Sequence, residues 1–111
     1  MIEQKTVEKF LLSFDDVWTA EPFEPQITVY YVGPKAEERM FALLSSAKKP
    51  VRLSLKCDPQ LSQILRDKYD EVMPGVNLNK KYWNSLVLSG QLSWEDMKGL
   101  ITHSYFMAKE D

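Results

Sequence analysis

Apolar residues recur at Val7, Phe10, Leu11 and Phe14, a spacing of three and four that puts one greasy stripe on a helix running from about Ile2 to Phe14. The next stretch, Thr19 to Gln26, carries Pro22 and Pro25 and predicts a loop. It leads into Ile27-Thr28-Val29-Tyr30-Tyr31-Val32, whose β-branched and aromatic run predicts a strand closed by Gly33-Pro34. Arg39 to Leu44 predicts a second strand, and Ser45 to Pro50 the turn into a third. In that third strand Val51, Leu53, Leu55 and Cys57 alternate with Arg52, Ser54 and Lys56, so one face is apolar and the other basic. Asp58-Pro59 then reads as an N-cap followed by an N1 proline, opening a helix with a buried stripe of Leu61, Ile64 and Leu65 that ends near Tyr69. Met73-Pro74-Gly75 signals a turn, and Trp83 to Ser89 a further strand closed by Gly90. Ser93-Trp94-Glu95-Asp96 resembles a capping box with Asp at N3, and Met97, Leu100, Ile101, Ser104, Tyr105 and Ala108 line one face of a last helix.

The resulting order, α-β-β-β-α-β-α, has short links between its first strands, which favour antiparallel hairpins. An α+β class follows: one twisted, mainly antiparallel sheet with helices packed on one face. Strict helix–strand alternation is absent, which argues against a doubly wound nucleotide-binding fold. At 111 residues the chain predicts one domain, 1–111, with a single core, and its 44% hydrophobic and 27% charged residues are ordinary globular values. The longest nearly apolar run, Met40 to Leu44, is far too short to span a membrane. Glu3, Lys5, Glu8 and Lys9 stand where a signal peptide would be apolar, so a cytoplasmic location is expected. Cys57 is the single cysteine and His103 the single histidine, too few for a zinc cage of their own.

Charge changes the picture more than its sum of −2 suggests. Arg39 to Cys57 holds five basic residues (Arg39, Lys48, Lys49, Arg52, Lys56) and no acid, and Asn77 to Trp94 holds Lys80 and Lys81 and no acid. The remainder carries −9 against this +7. Brought together in space, the two basic segments would make a face that steers anionic partners; scattered, they are ordinary solvated charge.

Candidate chemistry centres on Asn79-Lys80-Lys81-Tyr82-Trp83-Asn84. Lysines and amides buried together would all need partners, whereas in an exposed groove they grip phosphate or carboxylate while the rings stack. Lys80 and Lys81 are candidates for phosphate, Tyr82 and Trp83 for stacking, Asn84 for a polar contact, and Arg52 and Lys56 for the other half of the groove. Each has a plainer reading. Trp83 at a strand start fits a core anchor better than a contact surface, Asn79 a turn closed on its own backbone, and Arg52 and Lys56 a solvated sheet face. Cys57 alternates inward, which favours an inert core thiol over a nucleophile, and His103 reads as a hydrogen-bonded structural histidine. No nucleophile elbow, phosphate-binding glycine loop or HExxH helix is present, so no catalytic residue, metal or cofactor is expected.

Four stretches together resemble the MmcQ/YjbR family: Lys56-Cys57-Asp58-Pro59, Pro74-Gly75 followed by Asn79 to Ser85, His103-Ser104-Tyr105, and Met40-Phe41-Ala42. The family usually has His where Tyr82 stands, Thr at Ser85, an aromatic at Val76 and Gly at Glu24. The resemblance implies a compact α+β fold of the kind also found in secretion chaperones, and a DNA-binding role suggested by shape. Two binding functions follow as expectations: a non-enzymatic module for DNA or another polyanion, and a chaperone-like protein-interaction module that would expose Trp18, Phe23 and Trp94 as one patch. An enzyme built on Cys57 and His103 ranks behind both.

Overall fold

The computed structural model describes residues 2–47, 49–75 and 78–110. Helix α1 (Gln4–Leu12) is followed by β1 (Val17–Ala20), β2 (Ile27–Val32), a 3-10 turn (Lys35–Glu37), β3 (Met40–Ser45), β4 (Arg52–Lys56), α2 (Pro59–Lys68), β5 (Met73–Pro74), β6 (Trp83–Val87) and α3 (Trp94–Lys109). The six strands form one antiparallel sheet in the order β1-β2-β3-β4-β6-β5. The α+β class and the helices on one face are as the pattern predicts.

Two strands go beyond the sequence expectation. Thr19 and Ala20 belong to β1, paired with Tyr30 and Val29, because Val-Trp-Thr-Ala keeps the sheet edge until Pro22 ends it. Met73-Pro74 is a two-residue edge strand rather than a bare turn. Proline is tolerated there because an outer strand has a side on which no N–H is needed.

The core lies between the sheet and α1 and α3. Val7, Leu11, Phe41, Leu53, Met97, Ile101 and Ala108 are fully buried. Each large aliphatic or aromatic side chain withdrawn in this way contributes about 1.5–3 kcal/mol. A bulge tunes the packing: Tyr30 pairs with Ala42 but Tyr31 with Met40, leaving Phe41 as an extra residue on β3. Its ring turns inward, edge-on to Phe14 and Tyr105. Ser104 of α3 locks this irregularity, its hydroxyl donating to the Phe41 carbonyl at 2.5 Å and accepting from the Lys56 N–H at 2.8 Å.

Helix α2 starts as expected, the Asp58 carboxylate accepting from the N–H groups of Gln60 and Leu61 with Pro59 at N1. Its buried stripe is narrower than predicted. Ser62 is buried and Leu65 half-buried, whereas Ile64 is 60% exposed, because two residues along a helix turn the side chain more than halfway round. The Ser93 hydroxyl caps α3 by accepting from the Asp96 N–H at 3.1 Å.

Candidate functional site

Residues paired directly across an antiparallel ladder share a face. On β4 and β6 the pairs Leu53–Leu86 and Leu55–Asn84 face the helices, and Arg52–Val87, Ser54–Ser85 and Lys56–Trp83 face away. The helix-free face is thus a readable surface. A middle row runs Ala20, Val29, Leu43, Ser54, Ser85, Met73, with the Ser54 and Ser85 hydroxyls 2.8 Å apart. Beside it lie Trp18, Tyr31 and Met40 on one half of the sheet and Lys56 and Trp83 on the other. Trp18 stacks flat on Tyr31 with centroids 4.1 Å apart, and its indole N–H donates to the Gly33 carbonyl at 3.0 Å.

The basic-aromatic loop closes the Lys56 end of this face. Asn79 folds it as an Asx turn, its side-chain oxygen accepting from the Lys81 N–H at 3.0 Å and its carbonyl from the Tyr82 N–H at 3.1 Å. The Cys57 N–H donates to the Tyr82 carbonyl at 2.7 Å, which sets the loop directly after Lys56 in space. Lys80, Lys81 and Tyr82 are exposed, and the Lys81 ammonium sits 5.7 Å from the centre of the Tyr82 ring. Gly75 is required behind the loop: a Cβ there would come within 2.8 Å of the Trp83 Cβ.

What fixes the loop was not singled out in the sequence. Arg66, one turn after the buried Ser62 and on the same side of α2, donates from Nε to the Asn84 side-chain oxygen at 2.7 Å and from Nη2 to the carbonyls of Lys80 and Trp83. A cation at that helical position was the available signal.

Not every expected contact residue reaches the surface. Asn84 faces the helices, 2% exposed, so its place in a contact surface is corrected to a structural one. Its Nδ2 has no hydrogen-bond partner and lies beside a cavity of about 10 Å³ bordered by Leu55, Cys57, Leu65, Leu86 and Leu100. Trp83 is on the helix-free face yet only 6% exposed, so it offers an edge rather than a stacking plane; the core-anchor expectation is right about its burial. Tyr82 remains the loop's accessible ring.

Nor do the seven basic residues form a single platform. The loop of Lys80 and Lys81 adjoins the end of β4 that carries Lys56, while Arg52 lies four residues back along β4, roughly 14 Å away at the strand rise. Lys49 lines a separate cleft with Ile2, Lys5 and Leu88. Arg39 is engaged by Glu37 at 3.1 Å and by the Lys109 carbonyl at 2.9 Å. Lys48 and the departure at Val76 lie outside the described residues. Lys56 and Trp83 also border a cleft of about 500 Å³ whose other walls are Glu37, Glu38, Arg39 and Met40, so carboxylates share the cationic end of the face.

The apolar patch expected from Trp18, Phe23 and Trp94 does not form. Trp18 is on the helix-free face, Trp94 packs edge-on against Phe10 on the opposite side of the sheet, and of the three only Phe23 stands out, 60% exposed.

Cys57 is buried, and burial, the largest influence, pushes its thiol up; the Ser62 hydroxyl pulls it back, the Asp58 charge adds to the rise and Arg66 opposes it, with a net upward shift. That is the opposite of nucleophile activation. His103 Nε2 accepts from the Asp58 N–H at 3.1 Å, joining α3 to the start of α2. Among the described residues no group of three or more His, Cys, Asp or Glu could hold a metal, and no helix is long and apolar enough to cross a membrane.

Comparison with known proteins places the chain. The family model YjbR matches residues 12–107. Protein YjbR of Escherichia coli K12 is 32% identical over 74 residues, covering 67% of this chain and 63% of that protein, so the match spans less than two thirds of that relative. Protein YbdF of Escherichia coli O157:H7 is 30% identical over 101 residues, covering 91% of this chain and 80% of the relative. Both are described as uncharacterized. The crystal structure of Deinococcus radiodurans protein DR2400 superposes with a TM-score of 0.93 at 29% identity, over 100% of this chain and 81% of that one. A Pseudomonas syringae crystal structure shares the fold at a TM-score of 0.80 and 22% identity, over 96% of this chain and 99% of its own. With this sheet order, this helix arrangement and a family match over nearly its whole length, the chain belongs to the YjbR family.

Proposed function

We propose that this protein is a non-enzymatic binding module that holds single-stranded nucleic acid at the Lys56 end of its helix-free sheet face. The observation that carries this is that the end of β4 bearing Lys56 adjoins the Lys80-Lys81-Tyr82 loop, linked through the Cys57–Tyr82 backbone bond. Three cations supply phosphate contacts and Tyr82 offers a ring on which a base can stack, the combination that single-strand binders use. Outside Lys56, Lys80 and Lys81 the chain has 11 basic against 16 acidic residues, and its sequence pI is near 5.4, a balance that disfavours indiscriminate adhesion to duplex. A cytoplasmic setting suits such a role.

The test is residue-resolved. Titrating a short single-stranded oligonucleotide into isotope-labelled protein is expected to shift the amide signals of Lys56 and of Lys80 to Trp83 while leaving those of Ile64 and Gly99 in place. Shifts confined to the α2–α3 side would contradict the proposal.

A protein partner is the alternative occupant, favoured by the apolar content of the same face. Leu43 and Val87 are only half-buried there, and Met73 is 36% exposed.

A further inference from the structure

A phosphate-gripping corner should avoid carboxylates, yet the cleft of about 500 Å³ beside Lys56 has Glu37 and Glu38 in its wall. Glu37 is already paired, held by Arg39 at 3.1 Å. Among the described residues Glu38 has no such ion pair. Its backbone is left-handed, at φ 46 and ψ 51, a conformation that glycine or asparagine adopts more readily. Its carboxylate is close enough to Tyr31, on the helix-free face, to raise that phenol's pKa in addition to the effect of burial. The lining of the cleft therefore combines apolar Met40 and Trp83, the cation of Lys56 and the carboxylate of Glu38.

We infer that Glu38 is a specificity-determining residue that selects amino-bearing bases, guanine above all, over thymine or uracil in a bound single strand. This rests on the single-strand reading above and deepens it. The chemistry is directional. A carboxylate has two acceptor oxygens and no donor, so it matches adjacent N–H groups and repels carbonyl oxygens. The pairing edge of guanine presents N1–H and N2–H side by side, enough for a bidentate bond; cytosine and adenine present one exocyclic amino group. Thymine and uracil flank their one N–H with two carbonyls. Such edges are accessible only in an unpaired strand, which is why the inference concerns single strands.

The experiment compares fluorescence anisotropy of labelled thymine-only and alternating thymine–guanine strands of about twelve nucleotides, with native protein and with Glu38→Gln. Native protein is expected to prefer the guanine-containing strand by at least about fivefold, the low end for one bidentate base contact. Glu38→Gln should lose that preference and, with one negative charge removed beside Lys56, bind the thymine-only strand more tightly. A folding defect cannot produce these opposite shifts. Equal native affinity for both strands, with Glu38→Gln tightening both alike, overturns the inference and leaves the single-strand reading standing. No binding of either strand overturns both. A lysine-rich peptide that binds the native protein but not Glu38→Gln, with neither strand bound, would overturn both in favour of a cationic protein partner.

Discussion

The Arg66 guanidinium meets the Asn84 side-chain oxygen at 2.7 Å, tying helix α2 to strand β6 beneath the loop that carries Lys80 and Lys81. One planar cation thereby serves the buried Asn84 side-chain oxygen and the carbonyls of Lys80 and Trp83 at once. Lysine, a point charge on a flexible stem, cannot reproduce that fork.

Arg66→Ala is therefore expected to destabilise the protein by about 2–3 kcal/mol, since charge-assisted bonds are lost and the buried Asn84 amide loses its remaining partner. Arg66→Lys should recover only part of this. Urea denaturation of the three proteins measures the differences, and hydrogen exchange should show the amides of Lys81 and Tyr82 opening faster in Arg66→Ala.

Ser104 is fully buried and serves two backbone groups, the Phe41 carbonyl and the Lys56 N–H. Ser104→Ala leaves both without this partner and should cost about 2–3 kcal/mol, against well under 1 for Thr102→Ala on the same helix, whose hydroxyl bonds only the Lys98 carbonyl four residues back. Thermal or urea unfolding distinguishes the two.

Alkali should unfold the protein through its tyrosines. Burial, with the Glu8 charge in addition, raises Tyr30 to about 12 from 10.0, so the folded state favours the neutral phenol. The stability contributed is fully present below pH 10 and is lost as pH rises toward 12, on the order of 2 kcal/mol from this residue. Tyr31 shifts in the same direction. Urea midpoints measured from pH 9 to 12 should fall most steeply in the upper half of that range, and Tyr30→Phe should flatten the fall.

Cys57, buried with a raised thiol pKa, should react with a thiol reagent at least about a hundredfold more slowly in the native protein than in urea. Rapid native labelling would return it to consideration as a reactive group.

The sequence revealed the periodic elements best, for a physical reason. The alternation of Leu53 and Leu55 with Arg52, Ser54 and Lys56 is a local consequence of the pleat, so β4 and its two faces could be read directly. β1 was hidden because its four residues are too few for a period to show, and β5 because Pro74 reads as a breaker unless its edge position is known. At the site, the exposed Lys80, Lys81 and Tyr82 follow from composition and turn chemistry. The inward turn of Asn84 follows from strand register, one residue from Trp83 and on the opposite face, which depends on pairing with β4. The helical position of Arg66 was legible but its partners were not, since its three acceptors lie 14 to 18 residues away in sequence and meet it only through the fold. The adjacency of the Lys80-Lys81 loop to the end of β4 that carries Lys56, and the distance of Arg52 from it, are likewise tertiary facts.

The most direct test of the account is the salt dependence of single-strand binding by native protein and by a Lys80→Glu, Lys81→Glu double variant, followed by fluorescence anisotropy. With Lys56, Lys80 and Lys81 each meeting a phosphate, the log–log slope of affinity against salt should be about −2, and the double variant should lose most of the affinity and the greater part of that slope. A native protein that fails to bind at low salt, or a double variant that binds as tightly and with the same slope, would contradict it.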